Sequence, residues 1–129
     1  MINTTKRTQN RKTGDLGEQI AANYLISKGY SVLERNYWRP WGEIDLVAEK
    51  NGELFFFEVK TAVASGSRET IRPEVNLHPE KLKRFDRVVQ SYLWERRTPP
   101  KTQWKFQAIC LVLDMENKKA TVELIKDIV

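Results

Sequence analysis

The chain has 129 residues, of which 40% are hydrophobic and 30% are charged, and its formal net charge is +5. This length suits a single domain that buries its own core. No apolar run approaches the roughly 18 residues that a membrane span needs. The polar N-terminus also lacks the apolar segment of a secretory signal. We therefore expect a cytoplasmic protein with no membrane partner, whose positive charge suits a polyanion.

The chain has one cysteine, Cys110, which excludes an internal disulfide and a cysteine zinc site. It lies in the apolar run AICLVL. Free cysteine is among the most buried residue types, so we expect Cys110 to be a core thiol.

The N-terminal third predicts a tail, a helix and a strand. Residues 1–12 are basic and polar, with almost nothing apolar, and predict a flexible tail ahead of one domain over residues 13–129. Leu16, Ile20 and Tyr24 follow helical spacing and predict a helix from Asp15 to Lys28. A short strand is predicted over Tyr30–Tyr37.

A β-hairpin is predicted over residues 42–60, which read GEIDLVAEKNGELFFFEVK. Asn51-Gly52 lies between its two strand-like runs, and both residues tolerate the positive φ of a tight hairpin turn. A two-residue turn fixes the pairing of the strands. The predicted apolar face has the pairs Ile44–Val59, Leu46–Phe57 and Ala48–Phe55. The predicted polar face has the pairs Asp45–Glu58 and Glu43–Lys60.

The second half of the chain predicts a loop, a helix and two strands. Residues 61–78 resemble a loop, and Pro79 opens a helix that continues to about Trp94. Strands are predicted over 104–113 and 120–128, with a turn at Asn117-Lys118. The order α, β, β, β, α, β, β predicts an α/β sandwich with a crossover helix.

The predicted polar face of the hairpin suggests a metal site. Directly opposed like charges destabilise a sheet, so Asp45 opposite Glu58 requires something to offset the repulsion. Two carboxylates and a main-chain carbonyl, that of Val59, are ligands that suit Mg²⁺ or Mn²⁺. Lys60 points to the same side and could orient a water or stabilise a phosphate, and Glu18 on the first helix could reach the same metal. Glu43 is a secondary candidate.

A purely structural alternative stays open for these residues. Lys60 could form ordinary cross-strand salt bridges with Glu58 and Glu43, which commonly contribute less than about 1 kcal/mol. Val47 and Phe56 extend the same predicted face, and a face that is part acidic and part aromatic is more typical of a cleft than of a solvated surface.

These residues together resemble the PD-(D/E)xK nuclease superfamily, which includes restriction endonucleases and archaeal Holliday-junction resolvases. The resemblance rests on GEID at 42–45, EVK at 58–60 and Gly17-Glu18 on a preceding helix. Further features, Gly29-Tyr30, Arg35-Asn36 and Lys81 ahead of Tyr92-Leu93, are similar to the bacterial YraN-like family. The resemblance covers about residues 13–113. It implies a restriction endonuclease-like three-layer sandwich around a mixed central sheet.

The resemblance also implies a function. Asp45, Glu58, Lys60 and Glu18 would be the catalytic set of a Mg²⁺- or Mn²⁺-dependent endonuclease that hydrolyses DNA, including structured or branched DNA. DNA is favoured over RNA as the partner, and resolvase-like relatives suggest a homodimer. Two positions depart from the superfamily pattern: Ile44 replaces the proline before the aspartate, and Ala62 replaces a basic residue. The alternative is a non-catalytic nucleic-acid-binding module with the same fold.

Basic and aromatic residues outside this set are candidates for nucleic-acid binding. Lys81, Lys83 and Arg84 on the second helix could contact phosphates, although a solvated helix face is an equal alternative. Arg39 lies between Trp38 and Trp41, and these rings could stack on bases or pack at the rim of the core. His78 has no nucleophile partner in sight and is expected to be structural or exposed.

Overall fold

The computed structural model describes residues 4–64 and 78–126, with side chains from residue 14 onward. Its elements follow the predicted order, and five strands form one sheet in the order β1-β2-β3-β4-β5. The elements are α1 (Thr4–Ser27), β1 (Ser31–Arg39), β2 (Gly42–Lys50), β3 (Glu53–Ala64), α2 (Pro79–Glu95), β4 (Trp104–Asp114) and β5 (Lys119–Ile125).

The sheet is mixed, as predicted. β3 pairs antiparallel with β2 and parallel with β4, and the other neighbouring pairs are antiparallel. The parallel pair requires a crossover, which contains α2. One helix covers each face, which confirms the predicted three-layer sandwich and is consistent with a restriction endonuclease-like fold.

Helix α1 covers one face of the sheet through small residues. Ala21, Ala22 and Leu25 are fully buried against side chains of β2, β3 and β4. Gly17 comes so close to β3 that a Cβ there would lie 2.0 Å from Thr61 Oγ1. The glycine therefore allows α1 to approach the strand that carries Glu58 and Lys60.

Helix α2 covers the other face. Val88, Val89 and Tyr92 are buried against Phe56 and Phe106 of the sheet. Pro79 opens the helix, and the ring of His78 accepts a hydrogen bond from the backbone N–H of Glu80 at its N-terminus. His78 is exposed, in agreement with its predicted structural role, and Cys110 is buried as predicted.

Several predicted boundaries are wrong. Helix α1 begins at Thr4 rather than Asp15; the residues ahead of Asp15 include no proline, and the Lys, Arg and Gln residues among them are good helix formers. The flexibility expected of residues 1–12 stays a prediction. β3 continues to Ala64, where a loop was predicted, since β4 pairs with it along its whole length. The rest of that predicted loop lies largely outside the described residues, and β5 ends at Ile125 rather than 128.

The hairpin turn and the start of its ladder are confirmed. Asn51 and Gly52 have φ of 53° and 77°. The observed pairs include Lys50–Glu53, Ala48–Phe55 and Leu46–Phe57, but the ladder ends there. The predicted pairs beyond it, Ile44–Val59, Asp45–Glu58 and Glu43–Lys60, are absent from the ladder.

The predicted position of Ile44 is also wrong. It packs with Val88 and Val89 on the α2 face, whereas Leu46 and Ala48 pack on the α1 face. Strict alternation along β2 therefore fails at Asp45. In the neighbouring strand β1, Asn36 has a φ of 52°, which disturbs the regular pleat beside Asp45.

Candidate active site

Asp45 lies at the point where β2 stops pairing with β3. Its Oδ2 atom accepts a hydrogen bond of 2.7 Å from the backbone N–H of Val59. The β3–β4 ladder continues beyond this point to Ala64 and Asp114. The carboxylate thus replaces the backbone partner that a continued β2 ladder would have offered, and the end of the ladder places Asp45 next to the Glu58-Val59-Lys60 segment.

Glu58 is a buried carboxylate held by two lysines. Its Oε1 atom is 3.1 Å from Lys60 Nζ and 2.8 Å from Lys81 Nζ, and Glu58 is 6% exposed. Lys81 comes from the first turns of α2, so Glu58 and Lys60 face the α2 side of the sheet. The other oxygen, Oε2, is buried and has no hydrogen-bond partner within the described part of the chain.

Further carboxylates surround Asp45 from other elements. Burial raises the pKa of Asp45 to about 7, the Val59 N–H opposes that rise, and the negative charges of Glu18, Glu43 and Glu58 add to it. Burial likewise raises the pKa of Glu18, against a hydrogen bond with Asn36. The four predicted acidic residues therefore share one electrostatic environment.

The same environment favours the charged form of Lys60, whereas it favours the neutral form of Asp45. Burial alone would lower its pKa, but the hydrogen bond and charge of Glu58, together with the charge of Asp45, outweigh burial and raise it. Lys60 therefore stays a cation beside the carboxylates.

Asp45 and Glu58 are the residues that could hold a divalent cation. In residues 4–64 and 78–126, no group of three or more Asp, Glu, His or Cys side chains is arranged to hold a metal ion. Two carboxylates with the Val59 carbonyl are still a hard oxygen donor set. The buried, unpartnered Glu58 Oε2 and the raised pKa of Asp45 both fit a site where positive charge would be favourable.

A cavity of about 560 Å³ opens beside these residues. Four of the five predicted nucleic-acid-binding residues line it, namely Arg39, Trp41, Lys81 and Arg84. Glu43 lines it too, and Lys81 joins it to Glu58. Gly42 brings the start of β2 against α2 here, since a Cβ at Gly42 would lie 2.6 Å from a methyl group of Val88.

Lys83 lies outside this cavity, and Arg39, although it lines the cavity, is already paired with a carboxylate. Lys83 lines a second cavity of about 420 Å³, together with Trp104 and Phe106, away from the carboxylates. Arg39 forms a two-pronged ion pair with Glu95 and lies over the ring of Tyr37 at 4.3 Å.

Sequence reasoning missed the contact between Lys81 and Glu58. Helical spacing put Lys81 with its basic neighbours on the polar side of α2, although its side chain is only 19% exposed. Its place in the first turn, next to the apolar face of the helix, was the available signal. Asn36 was missed as well, because a positive φ in a strand cannot be read from residue type alone.

The model of the uncharacterised protein family UPF0102 matches residues 17–111, which is well over half of the chain. The chain belongs to the UPF0102 family. A UPF0102 protein of Syntrophus aciditrophicus is 36% identical over 122 residues, covering 95% of this chain and 91% of the relative. A UPF0102 protein of Moorella thermoacetica is 36% identical over 116 residues, covering 90% and 93%. One from Wolinella succinogenes is 38% identical over 91 residues, covering 70% and 79%.

The match to the UPF0102 family spans Glu18, Asp45, Glu58, Lys60 and Lys81, so the whole candidate site lies in the family region. This agrees with the predicted YraN-like membership. In the part of the chain that the structure describes, neither helix is long and apolar enough to cross a bilayer.

Proposed function

We propose that this UPF0102 protein is a metal-dependent nuclease that hydrolyses phosphodiester bonds in DNA. The observation that carries the proposal is the break in the β2–β3 ladder at Asp45. There a half-buried aspartate, a buried glutamate and two lysines meet beside a cavity lined by cations and aromatic rings.

Each residue supports a distinct part of this proposal. Asp45 is fixed by the Val59 N–H, so its second oxygen would be a positioned ligand. Glu58 would offer its unpartnered Oε2. A bound Mg²⁺ or Mn²⁺ would polarise the phosphoryl oxygen and lower the pKa of a water. Lys60 would orient that water and stabilise negative charge on the phosphate in the transition state.

Glu18 and Lys81 would act around this centre. Glu18 is electrostatically coupled to Asp45 and bonded to Asn36, so it would support the ligand set from the α1 side. Lys81 lines the cavity and also holds Glu58, so it would link the carboxylates to the bound phosphate backbone.

One observation favours a non-catalytic nucleic-acid-binding module instead. Both lysines converge on the same oxygen of Glu58 and neutralise it without a metal. In that case the acidic cluster would be a structural element, and the basic cavity alone would bind nucleic acid.

A cleavage assay separates the two. Purified protein is incubated with single-stranded, blunt duplex and branched DNA, each in Mg²⁺, Mn²⁺ or chelator, beside Asp45→Asn and Glu58→Gln prepared in the same way. We expect metal-dependent cleavage of at least one substrate by the wild type and none by either variant. Cleavage that both variants retain, or binding without cleavage on every substrate, would contradict the nuclease proposal.

A further inference from the structure

The cavity beside the carboxylates has the chemistry of a nucleotide subsite. Its volume of about 560 Å³ lies in the range of roughly 300–1,000 Å³ that is typical of small-molecule sites. Its lining combines large aromatic rings with cations and one carboxylate. These residues include Trp38, Trp41, Phe85, Arg84, Arg87, Lys81 and Glu43.

The two tryptophans present rings in different ways. Trp38 is 61% exposed although it is a large aromatic residue. Trp41 is held in place, since its Nε1–H donates to Ser91 Oγ at 3.0 Å and the Arg87 guanidinium lies 4.6 Å from its ring centre. One ring is therefore accessible to a ligand, and the other is fixed beside a cation.

Two cations of the cavity, Arg84 and Arg87, differ from Arg39 on the same wall and from Arg96 elsewhere. Arg96 pairs with Glu34 at 2.8 Å, and Arg39 pairs with Glu95. Within residues 14–64 and 78–126, Arg84 and Arg87 form no ion pair with a carboxylate. Two guanidinium groups next to open aromatic surface favour a ligand that has both anionic oxygens and a flat ring.

We propose that this cavity binds one unpaired nucleotide of a DNA strand, with its base stacked on Trp38 and its phosphates near Arg84 and Arg87. The inference rests on the proposed function and names its substrate class. In a duplex each base has both faces covered by its neighbours, so an aromatic side chain reaches a base only in a single strand, an overhang or a flipped-out position. The substrate would thus be DNA with an unpaired segment.

The position of the cavity connects this subsite to the candidate active site. Lys81 lines the cavity and contacts Glu58 at 2.8 Å, and Glu43 lines it and acts electrostatically on Asp45. A strand whose base occupies the cavity would place an adjacent phosphate towards the carboxylates, so the unpaired nucleotide would fix where the backbone is cut.

Binding in chelator tests the subsite without requiring cleavage. Fluorescently labelled oligothymidine, a blunt duplex and a duplex with a single-stranded overhang are titrated with full-length wild type, Trp38→Ala and Arg84→Gln. There are two matched controls. Trp94→Ala removes a tryptophan of α2 that is 83% exposed and does not line the cavity. Arg97→Gln removes an equal charge outside the cavity. Trp38→Phe keeps a ring and is included to show that the alanine effect is one of stacking.

We expect the wild type to bind the oligothymidine and the overhang more tightly than the blunt duplex. Trp38→Ala should weaken binding of the first two by roughly 5- to 100-fold, as loss of one stacked base does. Trp38→Phe and Trp94→Ala should stay within about threefold of wild type, below that range, and Arg84→Gln should weaken binding more than Arg97→Gln.

Equal loss from Trp38→Ala and Trp94→Ala, or a Trp38→Ala effect that is the same on blunt duplex, would overturn the subsite. This failure is distinct from failure of the nuclease proposal. Cleavage of blunt duplex that does not depend on Trp38 would support the nuclease proposal and contradict the subsite. Binding of single strands through Trp38 without any cleavage would support the subsite and contradict the nuclease proposal.

Discussion

Asp45 is constrained by opposing effects on its charge. The Val59 N–H stabilises the carboxylate, whereas burial and the neighbouring Glu18, Glu43 and Glu58 destabilise it, and the net result is a pKa of about 7. A carboxylate with these neighbours is costly to keep ionised at neutral pH, so it is more typical of a functional site than of a structural ion pair.

The first prediction concerns the pH dependence of stability in chelator. The folded protein holds a proton on Asp45 up to about pH 7, whereas the unfolded chain releases it near the ordinary value of 3.8. Asp45 therefore contributes its full stabilisation below about pH 4 and loses it as the pH rises through about 7. Between these limits the free energy of unfolding of wild type should fall by roughly 2–4 kcal/mol relative to Asp45→Asn.

The measurement is urea unfolding of both proteins from pH 4 to 8, and their difference removes the contributions of other groups. Asparagine keeps an oxygen for the Val59 N–H, so Asp45→Asn should be at least as stable as wild type at pH 8. Asp45→Ala removes that acceptor and should be less stable than Asp45→Asn by about 1 kcal/mol or more. Parallel pH profiles for wild type and Asp45→Asn would contradict the assigned burial of this charge.

The second prediction concerns Lys81. Lys81→Met leaves the buried Glu58 carboxylate with Lys60 alone, which should lower the free energy of unfolding by about 1–3 kcal/mol at pH 7. Lys83→Met removes the same charge from an exposed position two residues away and should change stability by less than about 0.5 kcal/mol. Chemical denaturation of the two variants makes the comparison, and equal effects would mean that the Lys81–Glu58 contact does not stabilise the fold.

At the scale of elements, the site depends on how closely α1 approaches β3. Gly17 lies directly against Thr61, one residue beyond Lys60, and it precedes Glu18 in the helix. The absence of a side chain at Gly17 lets the helix lie close enough for Glu18 to influence Asp45. The Gly-Glu pair thus has a packing function at its first residue and an electrostatic function at its second.

The third prediction compares two glycines of the same helix. Gly17→Ala introduces a Cβ at 2.0 Å from Thr61 Oγ1, so the helix must shift, and we expect a loss of roughly 1–3 kcal/mol. Gly14→Ala meets nothing within 4 Å and should be neutral or stabilise the protein by about 0.5–1 kcal/mol, as alanine does in helices. Adding Thr61→Ala to Gly17→Ala should recover part of the loss. Thermal and urea unfolding measure all four proteins, and a neutral Gly17→Ala would contradict the close contact.

At the scale of the whole molecule, the sandwich separates its two kinds of charge. The net charge is +5, yet Asp45, Glu58, Glu18 and Glu43 are gathered near the end of the β2–β3 ladder. Their mutual repulsion weakens the folded state, and any cation that binds only that state would restore stability. The free energy of unfolding of the whole domain should therefore report on cation binding at the site.

The fourth prediction is a metal-dependent rise in melting temperature. At Mn²⁺ in hundredfold excess over Kd, wild type should gain about 2.7 kcal/mol over protein in chelator, or several degrees for a domain of this size. Asp45→Asn and Glu58→Gln should gain little. Asp86→Asn, which removes an exposed carboxylate from α2, should gain as much as wild type. Equal gains for Asp45→Asn and Asp86→Asn would place any bound metal elsewhere.

The sequence by itself determined the features that depend on neighbours along the chain. Asn51-Gly52 specified the turn and the first hairpin pairs, because both residues accept positive φ and a two-residue turn leaves one register. The order of elements specified the crossover and the mixed sheet, and the apolar run around Cys110 specified a buried strand. These outcomes follow from local conformational preference and from periodicity.

Only the tertiary structure decided how the site is assembled. The ladder ends at Leu46–Phe57 because Asp45 takes the Val59 N–H, and Ile44 then packs on the α2 face. Lys81 reaches Glu58 because the crossover places the first turn of α2 over the sheet face to which Glu58 points. The two contacts join residues that are 14 and 23 positions apart along the chain. Which partner each group bonds depends on burial and on competing hydrogen bonds, and no local sequence pattern encodes these.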